Sequence, residues 1–319
     1  MASSLDIKRR IRSINSTRKI TKAMEMVSAA KMRRAVASVL GIRPYAHSAW
    51  SVLTNLAQAF ESSVNYGFLE VREVKSVLMV VVTSNRGLCG SFNTQVAKKI
   101  KEEIASPEKL KINRIGKKKI ESPISDEKLK IDFITVGKKG ENIVRKLERE
   151  IVAAFEDGGK FSTVADIKPL SKIVMEDYLA KKYDKVVVVY TDYVSAVNQQ
   201  TRIRQVLPIS KIDIEKQIAE MDVIAKEYGL EEPIVDYKIE PNPEEVLQFI
   251  IPRLIEMQLF HAILESQASE QSARMLAMRN ATDAAGEMSE DLTLAYNQIR
   301  QGKITQEIAE ISAGRAALE

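Results

Sequence analysis

After Pro252 the sequence runs to Glu319 without another proline. Through this stretch Met257, His261, Leu264, Ala268, Gln271, Met275, Met278, Thr282, Ala285, Ser289, Leu292, Tyr296 and Ile299 recur in alternating steps of four and three. That spacing is a heptad seam, sustained for about six repeats. At ~1.5 Å per residue the roughly 67 residues make a helix about 100 Å long, whereas an average globular helix has about three turns. Such a helix must project beyond the domain that carries it. Gly286, Gly302 and Gly314 weaken it by up to ~1 kcal/mol each relative to alanine. Gln271, Thr282 and Ser289 occupy seam positions where leucine would give stability, so a pair built on this seam is marginal alone and needs something to enclose it.

The other end of the chain supplies a partner. From about Ser4 to Phe60 the sequence is helical in pattern, with Ile7, Ile11, Ile14, Met24, Val27, Met32, Ala35 and Val39 at roughly helical spacing. Pro44 in GIRPY predicts a kink or short break at Arg43. The segment ITKAMEMVSAAKMRRAV (Ile20 to Val36) does not confine its apolar residues to one stripe: Met24, Val27 and Ala35 share one side, while Ala23, Met26 and Ala30 lie elsewhere. A helix on an ordinary domain surface buries one face and solvates the other, so this one calls for contacts nearly all round. Through Arg43 the chain has eleven Lys or Arg against Asp6 and Glu25, within a net charge of +5 for the whole. The basic excess therefore sits at this end and implies an acidic partner. Nucleic acid fits poorly, because no aromatic residue able to stack on a base precedes Tyr45. Length favours pairing of the two ends as an antiparallel coiled-coil stalk.

Between them the pattern changes to alternating strands and helices. VLMVVVT (Val77 to Thr83) is an apolar, β-branched run suited to a strand buried on both faces. A helix is expected over SFNTQVAKKIKEEIA, a strand at IDFITVG, a helix over GENIVRKLEREIVAAF, a helix over KIVMEDYLAKKY and a strand at DKVVVVYTDY, with further strands at RIRQVLPI and IVDYKIEP. This alternation argues a mostly parallel sheet with helices on its faces. The charged stretch Ser106 to Lys130 is expected to be a surface insertion. The domain expectation is residues 1–60 as N-terminal shaft helix, 61–240 as central α/β domain with the insertion at 106–130, and 241–319 as C-terminal shaft helix.

No residue pattern assembles a catalytic, cofactor or metal site. The loop TSNRGLCGSFN follows a strand and precedes a helix, where α/β folds often bind phosphate, but it matches neither G-x-x-x-x-G-K-S/T nor G-x-G-x-x-G. His47 and His261 lack a ligand pattern around them, and Cys89, the one cysteine, reads as structural and fits a reducing compartment. No stretch approaches the roughly 20 apolar residues of a membrane span. MASSLDIKRRIRSI lacks the apolar core and cleavage site of a secretory signal and is expected to belong to the mature protein.

KITKAMEMVSAAKMRRA, RPYA, RGLCGSFN and ASEQSARMLAMRNATDAAGEMSEDLTLAYNQIRQGKITQEIAEI, in that order, resemble the γ subunits of F-type ATP synthases, bacterial members in particular. The resemblance covers almost the whole chain, more weakly through Ile100 to Glu240. It implies an asymmetric antiparallel coiled-coil shaft of the terminal helices with a Rossmann-like α/β domain at its base. The shaft would stand inside a hexamer of α and β subunits, and the base would sit with the ε subunit on a membrane ring of c subunits. The chain would be a non-catalytic rotor that couples ion flow to ATP synthesis and hydrolysis, without cofactor, without nucleic acid and touching the membrane only through the ring. Its expected place is the cytoplasmic face of the bacterial cell membrane, as a peripheral protein. By motif position the resemblance places Lys22, Met24, Lys31, Arg33, Arg34, Arg274, Gln301, Thr305 and Glu310 at rotor-stator contacts. The segment Ser106 to Lys130 is longer and more charged than the family leads one to expect. Two other readings follow from the residues alone: a freestanding coiled-coil adaptor with an α/β domain, which would lack a hexameric ATPase partner, and an unusual α/β enzyme with helical arms, which would turn over as an isolated chain.

Overall fold

The computed structural model describes residues 4–60, 67–68, 70, 72–115, 118–121, 129–156, 163–209, 219 and 243–316. Two helices dominate its ends, α1 (Ser4–Phe60) and α6 (Pro243–Ala316), of 57 and 74 residues. Helix α1 runs through Pro44, so of the expected kink or short break the break is absent. Proline removes one donor and crowds the carbonyl four residues back, and in a helix this long the turns on either side carry the conformation across the defect. Pro252 is likewise inside α6.

Between these helices the order is β1 (Ser76–Val82), α2 (Phe92–Ala105), α3 (Glu108–Lys111), β2 (Ile112–Ile115), β3 (Lys118–Glu121), β4 (Lys130–Val136), α4 (Lys138–Lys146) and β5 (Ile151–Phe155). A 3-10 turn (Val164–Ile167), α5 (Lys168–Leu179), β6 (Lys185–Tyr193) and β7 (Gln199–Leu207) follow. The main sheet has the order β5-β4-β1-β6-β7. Its first four strands are parallel, and β7 returns antiparallel to β6. The expected strand at IVDYKIEP lies outside the described residues.

Alternation along β1 explains why the sequence there is apolar throughout. Leu78, Val80 and Val82 point into one core with Leu170 and Val174 of α5, Val39 of α1 and Ile251, Leu254, Ile255 and Leu264 of α6. Val77, Met79 and Val81 point into a second core with Val96 and Ile100 of α2 and Val144 of α4. A strand buried on both faces can have no polar alternation.

Two expectations are corrected here. The helix expected over Gly140 to Phe155 stops at Lys146, and Ile151–Phe155 is instead a strand beside β4. Glu148 breaks the helix with φ 53. The Ala- and Leu-rich composition favours helix, but the open edge of β4 offers a ladder of backbone partners, and tertiary pairing overrides propensity. The charged insertion also contains fixed structure: α3 is followed by the antiparallel β2–β3 hairpin. Leu110 is buried in the second core, and the Lys185 ammonium donates to the Ile112 carbonyl at 2.6 Å.

The chain divides into two compact units, one of Met1–Ala29 with Arg274–Glu319 and one of Ala30–Ala273. The α/β sheet belongs to the second.

Candidate functional site

In an open α/β sheet, ligands bind outside the carboxyl ends of the strands where the strand order reverses. Taken in chain order, the parallel strands here stand 3-2-1-4, so the reversal lies between β1 and β6. Beside it, at the carboxyl end of β4, the first amides of the following helix are taken by the loop after β1. At the start of α4, the Lys138 N–H donates to Asn85 Oδ1 at 2.9 Å, Lys139 N–H to the Ser84 carbonyl at 3.0 Å and Gly140 N–H to Thr83 Oγ1 at 2.7 Å. Gly137 makes this docking feasible: it has φ 96, and a Cβ on it would stand 2.1 Å from the Thr83 carbonyl oxygen. Across the reversal, the Thr191 N–H donates to Ser266 Oγ at 2.9 Å and the Ser269 hydroxyl donates to the Thr191 carbonyl at 3.1 Å. The Tyr193 hydroxyl reaches Met32 Sδ at 3.9 Å. The carboxyl end of β6 is thus covered by α6, and the start of α4 by the loop that follows β1.

The loop RGLCG is held from within. Asn93 Nδ2 donates to Ser84 Oγ at 2.7 Å and to Cys89 Sγ at 3.2 Å, and the Ser84 hydroxyl donates to the Arg86 carbonyl at 2.7 Å. Cys89 is buried, while Leu88 beside it is exposed with φ 63. An apolar side chain held on left-handed backbone and turned to solvent is a feature that sequence reading did not single out.

In the first unit, the two chain ends pair antiparallel. Ser289 Oγ donates to Asn15 Oδ1 at 3.1 Å, and the Thr282 hydroxyl donates to the Thr21 hydroxyl at 2.7 Å. A Cβ placed on Gly286 would meet the Arg18 guanidinium at 3.5 Å. Partner numbers rise on α1 as they fall on α6, the signature of opposite directions. The buried seam holds Ile7, Thr21 and Ser28 from α1 with Met278, Thr282 and Ala285 from α6. Hydroxyls and small side chains let the backbones come close but bury little apolar area, and burial supplies most of the stability of such a pair. Meanwhile Ile304, Ile308 and Ile311 are 47%, 59% and 74% exposed. At steps of four and three they form one apolar stripe turned to the outside. Ile20, Met26 and Val27 of α1 are exposed as well.

The residues singled out by motif position are spread along the helices and form no single cluster. Lys22 is exposed and paired with Glu25 at 2.9 Å, and Met24 is half-buried. Lys31, Arg33 and Arg34 are exposed on α1 in the second unit, whereas Arg274 of α6 is buried. Gln301, Thr305 and Glu310 are exposed near the end of α6. There Thr305 donates to the Gln301 carbonyl at 3.0 Å, and Gln306 Nε2 donates to Glu310 Oε1 at 2.9 Å.

Sequence reading also missed a polar set inside the second unit. His261 and Glu265 of α6 are fully buried, with His261 Nδ1 3.4 Å from Glu265 Oε2. Arg204 of β7 lies over the Tyr190 ring at 5.2 Å. An ionised carboxylate at this distance would favour the imidazolium. Complete burial outweighs it, and with the positive charge of Arg204 it pushes the His261 pKa down to about 3, leaving the ring neutral. Heptad position alone marks His261 as a seam residue and carries no signal of this environment. Among the described residues, no helix is long and apolar enough to cross a membrane.

The relatives agree with this architecture. Residues 3–318 match the family model described as ATP synthase. The chain is 39% identical over 319 residues to the ATP synthase gamma chain of Roseiflexus castenholzii, covering 100% of this chain and 99% of that one. It is 40% identical over 313 residues to the ATP synthase gamma chain of Heliobacterium modesticaldum, covering 98% of each. Among solved structures, its fold is similar to a chain of the Euglena gracilis mitochondrial ATP synthase OSCP/F1/c-ring assembly. The TM-score is 0.61 with 19% identity, over 99% of this chain and 94% of that one. Paired terminal helices, a Rossmann-ordered sheet and full-length identity converge on one conclusion: this chain belongs to the ATP synthase gamma chain family.

Proposed function

We propose that this chain is the central rotor stalk of a rotary ATP synthase and has no chemical step of its own. The observation that carries the reading is the helix pair of the first unit, whose buried seam mixes Ile7 and Met278 with Thr21, Ser28, Thr282 and Ala285 while Ile20, Met26 and Val27 stay exposed. A free helix pair in water would be arranged the other way round. A pair enclosed by a surrounding ring of subunits has reason to present Ile20, Met26 and Val27 outward, and α6 has reason to carry Ile304, Ile308 and Ile311 exposed beyond its last pairing with α1.

The partners follow from the same surfaces. The α and β subunits of a catalytic hexamer would enclose the shaft, and the ε subunit and c ring would hold the base. Lys22, Lys31, Arg33 and Arg34 would meet acidic segments of the hexamer. Met24, Arg274, Gln301, Thr305 and Glu310 would complete the rotor-stator contacts, with Arg274, buried in the chain, acting by fixing its helix. The chain would be peripheral, at the cytoplasmic face of the membrane. The cover that Ser266 and Ser269 of α6 place over the carboxyl end of β6 favours a scaffold over a nucleotide site in the α/β domain.

The test is a native purification through this chain, followed by attachment of an optical probe to an exposed position of α2 such as Lys98. We expect a hexameric ATPase and a membrane ring to copurify and the probe to turn when Mg-ATP is added. A stationary probe on an assembly that hydrolyses ATP would overturn the reading.

A further inference from the structure

We infer that Ser266, Ser269 and Ser272 are positioning residues that lock α6 against both sliding and spinning on the α/β domain, so that torque passes between helix and domain without slip. The inference rests on the rotor reading above. It concerns only the second unit, where all three serines lie.

Strand β1 ends before its neighbour β6 does. Its last pairing with β6 that the ladder records is Val81 with Val189. Thr191 is two residues further along β6, so its N–H and carbonyl point toward the side that β1 has left. Alternate residues of a strand direct their backbone groups to the same neighbour. Both groups are buried with Thr191 itself, and buried backbone groups must find partners. Helix α6 supplies them: Ser266 accepts from the Thr191 N–H at 2.9 Å, and Ser269 donates to the Thr191 carbonyl at 3.1 Å. One turn on, the Ser272 hydroxyl donates to the Ala196 carbonyl in the middle of the β6–β7 turn, and Gln199 Nε2 donates to Ser272 Oγ at 3.3 Å. All three serines are almost completely buried.

Their spacing decides what such contacts can do. Steps of three residues advance ~4.5 Å along a helix but fall ~60° short of a full turn each time. Three serines therefore form a slanted track, ~9 Å along the axis and ~120° around it. A shift of one turn, or a rotation of the helix about its own axis, would separate each hydroxyl from its backbone partner. The preceding stretch of α6 grips the domain through Ile251, Leu254, Ile255, Leu259 and Leu264. Apolar contact of that kind is non-directional, so it resists separation far better than it resists turning. Hydrogen bonds to fixed backbone groups of the sheet supply the direction.

The experiment compares Ser266→Ala/Ser269→Ala/Ser272→Ala with Ile255→Val in the intact assembly. Ile255→Val trims the same helix where it is buried without touching the serine track. Two quantities are read: the ratio of ATP-driven proton pumping to ATP hydrolysis, and hydrogen exchange at the Thr191 amide. In the triple variant we expect the ratio to fall at least about threefold with hydrolysis largely kept. The Thr191 amide should exchange about tenfold faster or more, the order expected from one lost buried hydrogen bond. Ile255→Val, which loosens the same helix through apolar packing alone, should leave the ratio at the wild-type value.

A triple variant that assembles, exposes Thr191 and pumps as well as wild type would overturn the inference. So would an equal fall in Ile255→Val, which would reduce the serines to ordinary packing. Should the triple variant not assemble, Ser272→Ala at the outer end of the track is read against Ile255→Val with the same two outcomes. If the wild-type assembly itself does not couple pumping to this chain, the rotor reading fails. The exchange measurement on the wild-type chain and Ser266→Ala then decides separately whether the serine holds the Thr191 amide.

Discussion

One helix, α6, behaves as two different objects along its length. From Ile251 to Ala268 nearly every side chain is buried, and the apolar ones join the core beneath β1 and β6. From Arg300 to Ala313 every side chain is exposed, isoleucines included. Both stretches have the same conformation and similar helix-forming residues, so propensity does not distinguish them. The difference is in what each touches: the first is buried within its own chain, and the second, in the rotor reading, awaits a partner. Changes in the two halves should therefore register in different measurements.

The largest effect is expected where the helix is broken between them. Ala273→Pro removes the donor of residue 273 and sets the ring against the Ser269 carbonyl, at ~3 kcal/mol or more. In the rotor reading the catalytic residues belong to other subunits. We expect an assembled complex that keeps some ATP hydrolysis and loses most proton pumping, about tenfold or more in their ratio. Inverted membrane vesicles measure both, with subunit content checked alongside. An unchanged ratio would remove the load from α6 and shift it to α1.

Next comes a contrast, in the isolated chain, of the buried stretch of α6 with the seam residues that lie between the two stretches. Leu254→Ala empties a fully buried site and should cost ~2–5 kcal/mol. Thr282→Val keeps the shape of a seam residue and removes one hydroxyl. The Thr21 hydroxyl it contacts still donates to the Arg18 carbonyl at 3.0 Å, so the loss should stay within ~1 kcal/mol. Urea unfolding of both variants reads the difference, and equal costs would mean that the polar seam is as tightly built as the core.

How far these two halves could be read from sequence follows the same division. The heptad seam, the buried runs of β1 and β6 and the basic N-terminal excess were legible because periodicity and β-branched runs report burial directly. The strand Ile151–Phe155 was not, since its alanines and leucine-flanked context fit a helix equally well and only the open edge of β4 decides. Buried Leu110 made part of the supposed surface insertion into core, and one apolar residue among lysines carries no such signal. The serine track was invisible for a related reason. Serine in a helix usually reads as a solvated or weakly tolerated residue, and its partners at Thr191 and Ala196 are more than seventy positions away in sequence. The residues placed by motif position lie along helices that the sequence did outline, but spacing alone gives no order among their contributions.

A smaller effect tests the buried half by pH. His261 holds a proton in the folded chain only near pH 3, while an unfolded chain binds it near the ordinary value of 6.5. Between those limits the unfolded state carries more protons, so stability is present above 6.5 and is lost as pH falls toward 3. His261→Gln removes this one contribution. Urea midpoints between about pH 4 and 7 should fall less steeply in the variant, by up to about 1.4 kcal/mol per pH unit where the unfolded histidine is protonated. An unaltered slope would mean that the buried ring is already charged beside Glu265.

The smallest effect belongs to the exposed basic surface. Arg33 is exposed on α1, and an exposed ion pair with a partner is worth only ~0.2–1 kcal/mol. Each ion crossing the membrane delivers ~2.3 kcal/mol per 100 mV, so several per catalytic step supply roughly ten. A single surface contact carrying that load would be overwhelmed at every step; the load must be shared along the helices and by the anchored half of α6. Arg33→Ala should therefore leave the ratio of pumping to hydrolysis within about twofold of wild type in an assembled complex. A complete loss of pumping with assembly intact would contradict the shared load. It would mean that the exposed surface, although incomplete in the chain alone, becomes in its partner's presence as decisive as the buried one.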